Sequence, residues 1–134
     1  MPRLLLLLLS IAALASCDPG YNVIVINRSN NERRIKIIEA NKYRLEGLDS
    51  IWLRDTSSNW DTGSARIMEK DTGSNSYSFL LPKGTIATIQ AGNGWPDFRQ
   101  KVILDGNDTI LLNKDKRCAI RRRPMMTNVV VRID

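Results

Sequence analysis

Short runs of β-branched and aromatic residues alternate along the chain with short clusters of glycine, asparagine, aspartate and proline. Apolar runs of this kind predict β-strands, and the clusters between them predict turns. Only residues 39–49 favour a helical turn. Strands are therefore predicted at residues 21–26, 34–38, 50–54, 65–68, 77–81, 85–89, 101–104, 109–112 and 128–133.

The spacing of these strands predicts one compact β domain. Turn clusters recur about every 8–12 residues, which is typical of a sandwich or a barrel. Residues 23–26 are apolar on both faces of their strand, which predicts a central strand or a covered sheet. Asp105-Gly106-Asn107-Asp108 is the clearest hairpin signal. The strand at 34–38 follows the first strand at the distance of another hairpin.

The N-terminal segment has a different pattern. One positive charge, Arg3, precedes an apolar run over residues 4–15 that ends in small residues, which is the layout of a secretory signal peptide. A membrane-spanning helix needs about 20 apolar residues, so this run is too short to span. A buried N-terminal helix is the alternative, but it would place the apolar tract beside the polar residues 18–20. Residues 1–16 are therefore predicted to be a signal peptide.

The end of that segment, Leu14-Ala15-Ser16-Cys17, resembles the bacterial lipobox. The resemblance implies that the Cys17 thiol receives a diacylglyceryl group and that the chain is cut before this residue. Residues 17–20 would then be a lipidated N-terminus with a short tether, followed by a single domain at 21–134. The several acyl chains that the family carries anchor a protein durably, whereas one chain anchors it only marginally. The expected location is the bacterial cell envelope, at the outer membrane, with the leaflet left open.

Lipidation of Cys17 leaves Cys118 without an intrachain partner, since the chain has two cysteines. Cys118 is expected to be a small buried apolar residue; the alternative is an exposed thiol.

A second, looser resemblance concerns the mature chain. Cys17-Asp18-x-x-Tyr21, Leu81-Pro82-x-Gly84 and Asp108-Thr109-Ile110 are similar to segments of small lipoproteins from gut Gram-negative anaerobes. That group is often immunoglobulin-like. The resemblance thus implies an all-β fold, an immunoglobulin-like β-sandwich of about seven to nine short strands, and supplies no activity.

Catalysis is constrained by the absence of histidine from the sequence. Ser-His-Asp and Cys-His nucleophiles and histidine-ligated zinc are excluded. Asp61-Thr62-Gly63-Ser64 recurs as Asp71-Thr72-Gly73-Ser74 and resembles the catalytic loop of aspartic proteases, in which two aspartates share a proton. Ten residues cannot supply the two lobes of that family, so two turns are the favoured interpretation. No catalytic residue, metal or cofactor is predicted; calcium ligation by Asp55, Asn59 and Asp61 fits no EF-hand spacing.

The net charge of +6 falls to +5 when the leader with Arg3 is removed. A basic balance favours anionic partners, and export disfavours nucleic acid. Arginine suits phosphates and carboxylates, and a basic patch near an anionic membrane gains about 1 kcal/mol per residue. The alternative is a solvated loop or edge strand whose charges discourage aggregation. The candidate anionic-ligand residues are Lys114, Lys116, Arg117, Arg121, Arg122 and Arg123.

Trp95 lies in a glycine-rich segment at residues 92–97 and is the candidate glycan-stacking residue. An exposed tryptophan beside Asn93 and Asp97 would stack on a sugar ring while the polar side chains bind its hydroxyls. The alternative is a tryptophan that folds back to plug one end of the sandwich. Trp60 has the same two interpretations.

These observations predict a lipid-anchored cell-envelope binding or interaction module that is not an enzyme. The alternative is a periplasmic or surface inhibitor or ligand-capture protein for an anionic lipid or glycan. The expected partners are the membrane, through the N-terminal lipid, and an envelope protein or anionic glycan.

Overall fold

Two facing β-sheets contain nearly all the regular structure of residues 19–56 and 63–134, which are the residues that the computed structural model describes. A short 3₁₀ turn at Lys42–Arg44 lies in the segment expected to be helical. The eleven strands in these residues are β1 (Gly20–Asn27), β2 (Arg33–Ile38), β3 (Ser50–Asp55), β4 (Gly63–Arg66), β5 (Glu69–Asp71), β6 (Ser76–Leu81), β7 (Thr85–Asn93), β8 (Lys101–Leu104), β9 (Asp108–Leu111), β10 (Cys118–Arg123) and β11 (Met126–Ile133).

The strand order is β10-β11-β1-β7-β3-β4 in one sheet and β5-β6-β2-β8-β9 in the other. Neighbours are antiparallel except β1 and β11, which are parallel. The predicted all-β sandwich is confirmed, but seven to nine strands was too low for the part of the chain described. The additional strands, β5 and β10, are edge strands with mostly exposed side chains. Because these strands are held by backbone pairing and bury few side chains, their sequences do not show the apolar alternation that predicts a strand.

The main core lies between the two sheets. Val23 and Val25 of β1 are fully buried there, together with Ile35 and Ile37 of β2 and Phe79 of β6. Each such side chain contributes about 1.5–3 kcal/mol through burial. On the other face of β1, Ile24 and Ile26 form a smaller apolar cluster with Ile86 and Val130. β1 is therefore a central strand with two apolar faces, as its sequence predicted.

The connection from β1 to β2 corrects one expectation, because the two strands belong to different sheets and form no hairpin. The Asn27 side chain, fully buried, holds the crossing turn. Its amide nitrogen donates to the carbonyls of Asn31 at 2.8 Å and Leu81 at 2.9 Å, and its oxygen accepts from the Ser29 amide at 3.1 Å. A side chain thus supplies hydrogen bonds that a hairpin would supply through its backbone.

The β8–β9 hairpin is confirmed. Asp105 and Gly106 both have positive φ angles, 50° and 87°, which a tight turn matched to the strand twist requires.

The single strand predicted at 65–68 is instead divided between the sheets. β4 ends at Arg66 and β5 begins at Glu69. Between them, the Ile67 amide donates to the Asp49 carbonyl and the Met68 amide donates to the Ser78 carbonyl. The chain therefore leaves one sheet and enters the other within two residues.

In the described part of the chain, no helix has the length and apolar content needed to cross a membrane.

Candidate functional site

One end of the six-stranded sheet brings together several residues that the sequence singled out. At this end, here called the amino end, Gly20 of β1 is paired with Asn93 of β7 and Met126 of β11. The Gly94 amide donates to the Pro19 carbonyl at 2.8 Å, and the Gly20 amide donates to the Met125 carbonyl at 3.0 Å. The described chain therefore begins between the loop that follows β7 and the turn that joins β10 to β11.

Trp95 projects from the loop that follows β7, and 63% of its surface is exposed. The alternative in which this tryptophan plugs the sandwich is therefore wrong. The loop is nevertheless fixed, because the Asp97 amide donates to the Gln90 side-chain oxygen at 2.8 Å and the Gln90 amide nitrogen donates to the Asp97 carbonyl at 3.2 Å. The Arg122 guanidinium lies 5.4 Å from the Trp95 ring centroid. This is the geometry of a cation–π interaction.

The carboxylate of Asp97 is already engaged by its neighbour Arg99. Both the Nε and Nη2 atoms of Arg99 lie 3.0 Å from Asp97 oxygens. The hydrogen bonds from Arg99 lower the pKa of Asp97. Of the polar residues proposed to bind sugar hydroxyls beside Trp95, Asp97 is thus committed to an ion pair. Sugar stacking on Trp95 stays a prediction.

The basic residues predicted as one cluster are divided by β10. Because β10 is an extended strand, its two ends lie about 16 Å apart. Arg121–Arg123 reach the amino end, where Arg123 is paired with Met126. Lys114, Lys116 and Arg117 precede the opposite end of the strand, where the Arg132 amide donates to the Arg117 carbonyl. The six basic residues therefore lie in two groups, one at each end of β10, and do not form a single surface.

Arg117 is moreover neutralised by two carboxylates. It donates to both oxygens of Asp108 and to both oxygens of Asp115. The hydrogen bonds from Arg117 lower the pKa of Asp115 to about 2, and the same contacts raise the pKa of the guanidinium. Paired in this way, Arg117 has little capacity left for an anionic ligand.

The three arginines at the other end of β10 are exposed. Among the described residues, the side chains of Arg121 and Arg123 have no ion-pair or hydrogen-bonding partner. Strand alternation places Arg121 and Arg123 on one face and Arg122 on the other. This agrees with the predicted edge strand, whose charges discourage pairing with another chain. Met125, in the turn that joins β10 to β11, is 56% exposed. We call the surface formed by Trp95, Arg121, Arg122, Arg123 and Met125 the amino-end patch.

A buried polar network supports the loop that carries Trp95. The Gln90 amide nitrogen donates to the Gln100 side-chain oxygen at 3.1 Å, and the Gln100 amide nitrogen donates to Glu39 at 2.7 Å. All three side chains are buried, and burial raises the pKa of Glu39. Sequence reasoning missed this network. The available signal was the presence of lone polar residues within or beside apolar runs.

A cleft of about 240 Å³ opens between β3 and β7 on the other side of β1. It forms because β3 pairs with β7 only as far as Trp52 and Thr88, while β7 continues to Asn93. Trp52, 62% exposed, lines the cleft with Glu39, Arg44, Thr88 and Gln90. The Arg44 guanidinium also donates to the Tyr21 hydroxyl at 2.9 Å. Sequence reasoning missed this site because Trp52 lies within an apolar run and resembles a core residue.

The second Asp-Thr-Gly-Ser segment is a turn, as predicted. The Asp71 carboxylate accepts hydrogen bonds from the Gly73 and Ser74 amides and from the Ser74 hydroxyl. The Ser74 hydroxyl bond is the main cause of the lowered pKa of Asp71. In the first copy Gly63 and Ser64 begin β4, whereas Asp61 lies outside the described residues.

Several other sequence predictions fall on positions that the structure does not describe. Residues 1–16, Cys17, Asn59 and Trp60 all lie outside the described residues. Residues 19–56 and 63–134 contain no cluster of histidine, cysteine, aspartate or glutamate that could hold a metal ion.

Cys118 is half-buried at the start of β10 and packs against the core. Its thiol lies 3.7 Å from the Leu111 carbonyl, and burial raises its pKa to about 11. A thiol with so high a pKa forms little thiolate near neutral pH and is therefore poorly reactive.

Comparisons with protein-family models, with curated proteins and with solved structures found no match to this chain. The immunoglobulin-like character of the sandwich and the lipoprotein resemblance therefore stay predictions.

Proposed function

We propose that this chain is a lipid-anchored binding or interaction module of a bacterial cell envelope. The observation that carries the proposal is the position of the lipobox directly before the folded domain. Cys17 precedes Pro19 by two residues, and Pro19 already bonds to the loop after β7. Two residues span at most about 7 Å. A lipid on Cys17 would therefore hold the amino end of the domain close to the membrane.

The proposal gives the domain no catalytic role. The sequence lacks the histidine that activates most serine and cysteine nucleophiles. Of the two aspartates that resemble a protease pair, Asp71 has its carboxylate bound within its own turn. These features favour recognition over turnover, with the exposed surface supplying the contacts.

Mass spectrometry of the protein from its native host tests the anchor. We expect a chain that starts at Cys17 and carries a thioether-linked diacylglyceryl group. The matched control is Cys17→Ser, which should keep its leader and carry no lipid. An unmodified thiol at Cys17 in the native protein, or an intact leader, would overturn the proposal.

The second candidate function is capture of a small polar ligand, and the cleft between β3 and β7 favours it. An exposed tryptophan wall beside buried polar groups is the composition of many saccharide sites. Saturation-transfer NMR with N-acetylglucosamine and glucuronic acid as probes tests this function. Signal that is lost in Trp52→Ala and kept in Trp95→Ala would locate the ligand in the cleft. No transfer from either sugar would remove the basis for a saccharide site there.

A further inference from the structure

We propose that the amino-end patch lies on the anionic bilayer that holds the lipid, so that the anchored domain has one fixed orientation. The arginines Arg121–Arg123 bind headgroup phosphates, and Trp95 and Met125 enter the interfacial layer. This inference rests on the proposed lipid anchor at Cys17, because the anchor determines which end of the domain faces the membrane.

The point where the chain enters the domain carries the geometric argument. Pro19 and Gly20 bond to the loop that carries Trp95 and to the turn that carries Met125, so the patch surrounds the tether. The eight residues of β1 separate this end from the opposite end of the sheet by about 23 Å. A tether of about 7 Å holds the amino end at the headgroup layer and is too short to let the opposite end reach that layer.

The arginines of the patch differ from four arginines elsewhere in the domain, whose charges are already paired. Arg33, Arg34, Arg99 and Arg117 have carboxylate partners within the domain. Arg121 and Arg123 have no such partner among the residues described. A guanidinium fork binds phosphate with two hydrogen bonds. The unpaired arginines therefore fit the headgroups of anionic phospholipid.

The apolar members of the patch fit the same surface. Tryptophan is enriched at membrane interfaces because its ring is amphipathic. Trp95 and Met125 are more than half exposed, and they lie in the loop and the turn that bond to Pro19 and Gly20. Arg122 stacks on Trp95, which places a charge beside the ring at headgroup depth. A flexible methionine adapts to a soft apolar layer.

The tether makes even weak contacts effective. Each arginine near an anionic surface adds to the attraction, and a short linker gives the patch an effective concentration on the order of millimolar. The anchor supplies residence on the membrane, and the patch supplies orientation. The opposite end, with Asp108 and Asp115, then faces away from the bilayer.

Vesicle binding by the mature chain without its lipid tests the patch apart from the anchor. A chain of residues 17–134 with Cys17→Ser keeps every core residue, because the core clusters lie within residues 21–133. We expect it to bind vesicles of equal parts phosphatidylcholine and phosphatidylglycerol at low salt. Binding should be lost on pure phosphatidylcholine and weakened by salt.

Two double variants remove equal charge from opposite ends of β10. Arg121→Ala/Arg123→Ala is expected to weaken binding about thirtyfold, since two residues at about 1 kcal/mol each are lost. Lys114→Ala/Lys116→Ala is the matched control and should change binding far less. All four residues are exposed, and circular dichroism verifies the fold of each variant. Equal losses in the two variants would overturn the proposal, because net charge alone would then explain binding.

A second readout locates the aromatic contact. In a Trp52→Phe/Trp60→Phe background, Trp95 emission should shift to shorter wavelength and be quenched by brominated lipid. No binding to the anionic vesicles, or no quenching, would overturn the inference even if Cys17 carries lipid. Vesicle binding by a protein whose native form lacks lipid would overturn the proposed anchor and the fixed orientation that depends on it. Binding to a soluble acidic glycan such as heparin but not to vesicles would assign the arginines to glycans and overturn the membrane contact.

Discussion

Glu39 shows how one buried carboxyl group organises the domain at the scale of a single residue. Its partner Gln100 is bonded to Gln90, and Gln90 in turn holds the backbone of Asp97. A buried polar group that loses its partner costs about 1–3 kcal/mol, so each member of the chain depends on the others. The network thereby fixes the loop from which Trp95 projects.

The substitution Glu39→Gln should make stability less dependent on pH. Burial raises the pKa of Glu39 above its ordinary value of 4.5, so the folded state binds this proton more tightly than the unfolded chain does. Its contribution is complete below 4.5 and is lost as pH rises through the folded pKa. We expect Glu39→Gln to gain free energy of unfolding relative to wild type as pH rises from 4.5 to neutral in urea titrations.

The matched control for that series is Glu46→Gln, which removes the same charge at an exposed site. A gap between Glu39→Gln and wild type that is the same at every pH would contradict this account of Glu39.

Asp115 is expected to have the opposite pH dependence. The Arg117 hydrogen bonds lower its pKa to about 2, so the ionised carboxyl stabilises the fold above the ordinary value of 3.8. That contribution disappears as pH falls toward 2. Asp115→Asn should therefore flatten the decline in thermal midpoint between pH 4 and 2. Asp49→Asn, at a carboxylate 93% exposed, is the control, and an equal flattening in both variants would contradict the prediction.

At the scale of elements, the turn between β1 and β2 decides which sheet each strand joins. Asn27, the last residue of β1, is the buried partner of Leu81 at the end of β6. Asn27→Ala leaves that carbonyl without its side-chain donor and removes the bonds to Asn31 and Ser29. We expect a loss of about 2–3 kcal/mol in the free energy of unfolding, measured by urea denaturation.

Asn30 in the same turn offers a matched control. Its side chain accepts an exposed hydrogen bond from Lys83, so Asn30→Ala should cost less than about 0.5 kcal/mol. Similar losses in Asn27→Ala and Asn30→Ala would show that burial of Asn27 is not what stabilises the turn.

At the scale of the whole molecule, β11 joins the two ends of the chain. It lies between β10 and β1, and its pairing with β1 is parallel. Val129 and Val131 are fully buried and Ile133 is nearly so. Such long-range pairing requires closure of a loop of about a hundred residues before its stabilising contacts form, and this loss of chain entropy favours slow folding.

A chain that ends after Asn128 should not fold. It loses four buried side chains worth about 1.5–3 kcal/mol each, which is comparable to the whole stability of about 5–15 kcal/mol for a domain. We expect no cooperative thermal transition by circular dichroism and no dispersion of amide NMR signals. Removal of Asp134 alone, an exposed residue after β11, should leave both intact. A cooperative transition in the shorter chain would contradict the central role of β11.

The sequence by itself determined the fold class, nine of the eleven described strands at least in part, and the β8–β9 turn. These features are local: side-chain alternation reports burial, and Asp105-Gly106 favours positive φ angles. It also excluded histidine chemistry, and it supplied the lipobox on which the proposed function rests.

Only the tertiary structure decided how these parts come together. All strands offer the same backbone hydrogen bonds, so their local pattern does not specify a neighbour or a sheet. The structure thereby separated Lys114 from Arg121 along β10, paired Arg117 with two carboxylates and placed Arg122 over Trp95. Such contacts depend on packing between segments that are distant in sequence, and the local pattern of one amino-acid sequence does not indicate which segments will pack together.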